Sequence, residues 1–240
     1  MKVKDFLRRS LVAVLFAGFL SGCATTSPSD PLEPVNRVTF AFNELTDEIL
    51  FKPIAIIYSD LTPNIVQTGV GNFFSNIGDL WVAVNNFMQG KPSQGMSDVA
   101  RVFLNSTMGI GGLIDVASDF GYEKHDEDFG QTLAVWGVPS GPYLVVPFWG
   151  ATTIRDGVGS IADGFAYPWN YIRADYTRAG GIALKYIDKR AKLLDAGNLL
   201  NDVSVDKYTF FRESYLQHRQ SLVNDSSTSS ENLPNYNLDD

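Results

Sequence analysis

Apolar residues recur at helical spacing along most of this chain. Val35, Val38, Phe42, Leu45 and Ile49 stand three, four, three and four apart, which is one face of a helix. Pro31 and Pro34 suit its start, with Asp30 placed as an N-cap. A wider stripe follows through Val70, Phe73, Phe74, Ile77, Leu80, Trp81, Val84, Phe87 and Met88, interrupted by Gly69, Gly71 and Gly78. Gly90-Lys91-Pro92 closes that segment and opens a helix from Pro92 to Thr107. Met96, Val99, Val102, Phe103 and Leu104 are its expected buried residues. Ile182, Tyr186, Leu193 and Leu194 mark one late helix, and Tyr208, Phe211, Tyr215 and Leu222 another. No stretch sustains period-two alternation and no internal repeat is found, so the predicted fold class is mainly α in a single domain.

The middle of the chain breaks this pattern. Leu133 to Trp149 reads LAVWGVPSGPYLVVPFW, without a charge and with prolines at 139, 142 and 147. Those prolines forbid one continuous helix. Two short helices joined by a bend and dipping into one membrane leaflet are expected, with burial as a central loop as the alternative. Trp136, Tyr143 and Trp149 suit the headgroup level.

The ends carry separate signals. Lys2, Lys4, Arg8 and Arg9 precede the apolar run Leu11 to Leu20. That is the layout of a secretory leader, and the run is too short to cross a bilayer. Leu20-Ser21-Gly22-Cys23 resembles a bacterial lipobox, which implies cleavage before Cys23, acylation of that residue and stable anchoring by several chains. The alternative for Cys23, a catalytic nucleophile, lacks a neighbouring base. The expected organisation is a leader over 1–22, a lipidated tether over 23–30, a helical domain over 31–223 and a disordered acidic tail over 224–240.

Charge and composition narrow the chemistry. The chain has 19 Lys and Arg against 27 Asp and Glu, a formal charge of −8. Removing the four positive residues and Asp5 of the leader takes this to −11. Such a chain is unsuited to nucleic acid, and no nucleic-acid partner is expected. Any membrane contact must rest on apolar surface and the anchor rather than on attraction to anionic lipid. One cysteine and two histidines, His125 and His218, leave little for a disulfide framework or a zinc enzyme.

Individual motifs add little chemistry. Gly157-Val158-Gly159-Ser160-Ile161-Ala162 matches a dinucleotide pattern, but no strand runs into it. Gly109-Ile110-Gly111-Gly112 lacks the Lys-Ser/Thr of a phosphate loop and reads as a helix break. His125-Asp126-Glu127-Asp128 reads as a solvated acidic loop, with a weak divalent site as the alternative. Ser140 in Pro-Ser-Gly-Pro is not a hydrolase elbow. No catalytic residue, metal or cofactor is expected, and the chain is read as a non-enzyme.

Short segments in a fixed order say more. Asp30-Pro31-Leu32-Glu33-Pro34 comes first, with Asn36-Arg37 and Phe42-Asn43. Asn72-Phe73-Phe74-Ser75-Asn76, Asn85, Gln89-Gly90-Lys91-Pro92, Arg101 and Asn105-Ser106-Thr107 follow. Gly109, Gly111-Gly112, Asp115 and Glu127-Asp128-Phe129-Gly130-Gln131-Thr132-Leu133 come next. Trp136-Gly137, Gly141-Pro142-Tyr143, Pro147 and Arg155-Asp156 complete the set. With a lipobox in front, the chain resembles the MlaA/VacJ family of outer-membrane lipoproteins over about residues 30–200. Two departures are Pro139, where many relatives carry Gly, and Val35, where Phe is common.

That resemblance implies a single ring-like helical domain lying in the inner leaflet of a Gram-negative outer membrane, facing the periplasm. A central polar channel would take misplaced phospholipids from the outer leaflet and pass them to a periplasmic carrier feeding an inner-membrane ABC transporter. Trimeric porins are the implied scaffolds. Asn36, Phe42, Asn43, Arg155 and Asp156 are channel candidates, and Gly137 and Gly141 hinge candidates. For the two asparagines the alternative is satisfying buried backbone, and for Arg155 with Asp156 it is a simple ion pair. Two rival functions are a porin-associated scaffold that passes no lipid and an outer-membrane phospholipase acting through Ser140.

Overall fold

Prolines start the helices of the first half. The computed structural model describes residues 30–197 and 206–224, so the leader, Cys23, most of the tether and nearly all of the tail lie outside the described residues. Helix α1, Glu33–Thr46, has Pro34 in its first turn and runs through a five-residue π-turn, Asp47–Phe51, into α2, Lys52–Leu61. Pro53 has no N–H for the carbonyl four residues back, and the wider π-turn sits where that bond is missing. Thr62 is extended before Pro63, as a residue before proline prefers, and α3 then covers Asn64–Met88. Helix α4, Pro92–Thr107, begins on its proline. It ends at the glycine-rich break, where Gly111 and Gly112 take positive φ.

Side-chain caps start the next pieces. Asp115 accepts from the Ser118 amide ahead of the short α5, Val116–Asp119, and Asp128 from the Gln131 amide ahead of α6, Phe129–Val135. Two antiparallel strands follow, β1, Tyr143–Val146, and β2, Gly150–Thr153, with Tyr143 opposite Thr153 and Val146 opposite Gly150. Thr153 caps α7, Ile154–Ala166. A 3₁₀ turn, Pro168–Tyr171, leads to α8, Asp175–Ala191, and α9 is Lys207–Val223.

The fold is mainly α, as predicted, with two local corrections. Where a second short helix was expected within Leu133–Trp149, the chain forms a hairpin. Pro142 and Pro147 bracket β1, and its Tyr143 and Val145 turn inward while Leu144 and Val146 are less buried. Asp30 does not cap α1, because Leu32 holds that position. Its fully buried carboxylate instead accepts from Asn36, 2.8 Å away, and from the Tyr208 hydroxyl.

The larger correction concerns which face is buried. Among the described residues, 17 polar or charged residues are buried against 8 apolar ones. Every member of the predicted α1 stripe is exposed, Val38 at 72% and Ile49 at 68%, while Asn36 is buried. In α4, Met96, Val99 and Phe103 are exposed, and Gly95, Asp98, Arg101 and Asn105 face inward. Along α3 the inward face is Asn76, Asp79, Ala83 and Asn86. Ile154, Val158, Ile161 and Phe165 form an outward stripe on α7.

A polar interior survives only if its groups are bonded to one another. Asn86 donates to Asp98 at 2.7 Å, and His125 Nδ1 bonds the other Asp98 oxygen at 2.8 Å. Arg101 grips Asp115 through two bonds of 2.9 and 3.0 Å, and Lys124 reaches Asp79 at 2.5 Å. The acidic loop is therefore only partly solvated, with Asp126 exposed and its neighbours engaged. His125 bonds Asp98, Glu127 is buried beside Lys91 at 3.0 Å, and Asp128 caps α6. The apolar core is a small cluster around Tyr143, Val145 and Tyr208.

Packing closes a circuit. α1 lies on β1, β2 on α7, α7 on α6, α6 on α3, α3 on α8, and α8 on α2, which the π-turn joins back to α1. Arg190 holds Asp47 of the π-turn by two bonds of 2.7 Å, and Tyr58 donates to Asp188 at 3.0 Å. These bonds tie α8 to the first helices. Among the described residues no helix is long and apolar enough to cross a membrane.

Candidate functional site

Three helices of this circuit each present a patch of the same spacing to one cavity of about 520 Å³. α3 offers Gly78, Trp81 and Val82; α7 offers Ser160, Asp163 and Gly164; α8 offers Ile182, Lys185 and Tyr186. Each set is i, i+3, i+4, the residues that share a helix face. Glu127 and Asp128 border the cavity, Trp149 reaches it from the hairpin, and Tyr167, which immediately precedes the 3₁₀ turn, and Asn170 within that turn complete the lining.

The lining acids are already engaged. Glu127 pairs with Lys91, and Asp128 with Arg219 at 2.5 Å. One Asp163 oxygen accepts from Trp81 Nε1 at 2.7 Å and from the Phe129 amide at 2.9 Å. Burial pushes the Asp163 carboxyl up from its ordinary range, against those two bonds. Lys185 differs. Its ammonium lies 3.8 Å from the Tyr167 ring centroid, a cation–π contact, and among the described residues it pairs with no carboxylate. Burial pulls its pKa down, and the nearby Lys189 adds to that. A cation held by a ring face rather than a counter-ion keeps its N–H donors for an anion.

None of the channel or hinge candidates, Asn36, Phe42, Asn43, Gly137, Gly141, Arg155 and Asp156, lines this cavity. The structure gathers them instead around the hairpin that carries Trp149. Asn36 donates to Asp30 and to the Tyr143 carbonyl, 3.0 Å, and accepts from the Val145 amide, 2.9 Å. Two turns later Asn43 donates to the Val146 carbonyl, 3.0 Å, and accepts from the Phe148 amide, 2.8 Å. Both asparagines thus satisfy hairpin backbone. Phe42 packs edge-on against Phe148 at 5.2 Å. Gly137 and Gly141 take φ of 90° and 68° in the loop before β1. A β-carbon on Gly141 would lie 3.2 Å from Ile154.

Arg155 and Asp156 follow β2. Arg155 bonds Asp156 at 3.0 Å, and Arg219 of α9 bridges Asp156 and Asp128. Tyr215 donates to Asp156 at 3.0 Å. Burial alone would raise the Asp156 pKa, but Arg219 and then Arg155 outweigh it and hold the carboxyl below its ordinary value. Gly130 and Gly159 let α6 and α7 touch beside this cluster. A β-carbon on Gly159 would lie 2.5 Å from the Gly130 nitrogen, so the glycine of the dinucleotide-like pattern serves helix packing. Among the described residues no hydrogen bond joins Ser140 to a histidine.

The chain matches the family described as MlaA lipoprotein over residues 28–222. It is 38% identical to the intermembrane phospholipid transport system lipoprotein MlaA of Escherichia coli strain K12, over 95% of this chain and 94% of that one. It is 32% identical to the protein of that name from Haemophilus influenzae, over 98% and 97% of the two chains. A solved structure, described under the structural basis for maintenance of bacterial outer membrane lipid asymmetry, matches with a TM-score of 0.72 and 37% identity. The match covers 81% of this chain and 99% of that one.

Proposed function

The chain belongs to the MlaA lipoprotein family, and from that premise we propose that it removes misplaced phospholipids from the outer leaflet of the outer membrane, using the cavity between α3, α7 and α8 as the lipid's route. Lys185 carries this reading. A lipid phosphate is an anion, and a half-buried ammonium without a carboxylate partner among the described residues would receive it. The relatives' names, which specify intermembrane phospholipid transport, agree with a phosphate-bearing cargo.

The surface supports a membrane setting. Exposed apolar residues along α1, α2 and α7 are what a lipid-facing exterior needs. In this reading the domain lies within one leaflet, anchored through Cys23 and facing the periplasm. A periplasmic carrier that feeds an inner-membrane ABC transporter receives the lipid, and trimeric porins hold the domain in place. No step makes or breaks a covalent bond, so direction comes from these partners.

The hairpin is the gate in this reading. Asn36 and Asn43 hold its backbone, Phe42 holds its tip, and Gly137 and Gly141 supply the bend through which Trp149 moves at the cavity. Arg155 and Asp156 fix its far end.

Lys185→Glu tests the route. Cells carrying it at wild-type abundance should show raised outer-leaflet phospholipid, measured by surface-restricted amine labelling of phosphatidylethanolamine. Lys185→Arg should stay near wild type. Normal surface lipid in Lys185→Glu cells would favour the scaffold reading.

A further inference from the structure

A second, apolar groove lies beside the polar cavity along the same two helices. It encloses about 340 Å³ and is lined by Val70, Phe73 and Phe74 of α3 and by Gly180 and Leu184 of α8, with Trp169 closing one side. The centres of the α3 patches at the two sites are about eight residues apart, or about 12 Å of helix.

The 3₁₀ segment divides the two sites. Tyr167 and Asn170 line the polar cavity, while Trp169 lines the groove. The Tyr167 hydroxyl donates to the Phe74 carbonyl at 3.2 Å, which fixes the divider to α3. Trp169 sits against Gly181, where a β-carbon would fall 2.1 Å from the indole. Its Nε1 is satisfied by the Arg178 carbonyl at 3.1 Å. The indole therefore turns hydrocarbon toward the groove, and Phe73 and Phe74 meet it edge-on at 5.8 and 5.3 Å. A charged site and a hydrocarbon slot this far apart along α3, on neighbouring residues of α8 (Lys185 and Leu184), match an amphiphile, not a peptide or a free anion.

We infer that the groove is an acyl-chain subsite: a phospholipid whose phosphate sits at Lys185 lays one chain past Phe74 against Trp169. This inference rests on the proposed function, whose headgroup site it extends. Gly180 offers the direct test, because a side chain there enters open space. Gly180→Phe fills the slot, and Gly180→Ala leaves most of it open.

The full-length protein is placed in phosphatidylethanolamine vesicles that contain a small share of the same lipid with a diazirine midway along one chain. Illumination and peptide mapping then report which residues meet the chain. Wild type and Gly180→Ala should be labelled at Phe73 and Trp169. In Gly180→Phe that labelling should fall several-fold while labelling at the exterior Val38 and Leu61 stays constant, which also verifies insertion. Should Gly180→Phe fail to fold, Leu184→Trp narrows the slot from the opposite side with the same expectation. No groove labelling in wild type, as a protein partner would give, overturns the inference. So does labelling unchanged by filling, as general membrane lipid would give. An unlabelled groove beside a raised surface phospholipid level in Lys185→Glu cells would sink the subsite alone. Normal surface lipid in those cells would sink the headgroup site itself.

Discussion

Lys185 and Asp163 stand out at the residue scale because they are half-buried ionisable groups with different supports. Asp163 is held by an indole N–H and a backbone amide, so it serves the wall as well as the cavity. Lys185 leans on a ring. Substituting Lys185 should therefore change transport with little loss of stability. Asp156 behaves oppositely, because two arginines and a tyrosine converge on it. Asp156→Asn should cost about 3 kcal/mol of stability, read by thermal or denaturant unfolding in detergent. Asn36→Ala leaves the Tyr143 carbonyl and the Val145 amide buried without this partner and should cost about 2–4 kcal/mol. Loss of transport in either variant would then report unfolding. Lys185 offers a cleaner test of a channel than the pair Asp156 and Asn43. Sequence reading pointed to the latter pair because both bear polar groups in motifs, and motifs preserve scaffolds as readily as sites. Lys185 stands in no motif, and three distant helices had to be assembled before its setting could be seen.

At the scale of elements, spacing located the helices but could not assign their faces. A three-four repeat states that one side is apolar. It does not state whether protein or hydrocarbon covers that side. The Val35 to Ile49 stripe reads identically in both cases, and the structure turns it outward. The hairpin escaped notice for a different reason. Four residues per strand give only two alternations, and Leu144 and Val146 are apolar as well, so no period-two signal exists to read. Helix contact yields a sharp expectation at Gly159. A β-carbon there meets α6 backbone rather than a movable side chain, so Gly159→Ala should cost about 3 kcal/mol and lower the unfolding midpoint. Gly137→Ala has open space but keeps a positive φ. It should cost about 1 kcal/mol and slow lipid passage by stiffening the bend, while Gly137→Asn, which tolerates that conformation better, stays closer to wild type.

For the whole molecule the ruling fact is inversion, a polar interior inside an apolar coat. In water such a surface would associate, and in a leaflet it is solvated. Leu61 is 78% exposed and Ile57 is 58% exposed. Leu61→Asp with Ile57→Asp should leave folding in detergent intact yet shift the protein out of the membrane fraction when Cys23 is also changed to Ala. Either alteration alone should do less, because in the proposed setting the coat and an acylated Cys23 act together. Composition gave only a hint of this architecture. Its 45% hydrophobic content is ordinary for a globular chain, so the inversion lies in the arrangement of residues and not in their numbers.

The central claim is that this protein clears phospholipid from the outer leaflet, and one measurement addresses it directly: surface-exposed phosphatidylethanolamine in cells with and without the gene. The account predicts a rise on deletion that the wild-type gene reverses and the Lys185→Glu gene does not. An unchanged level on deletion under envelope stress would contradict it.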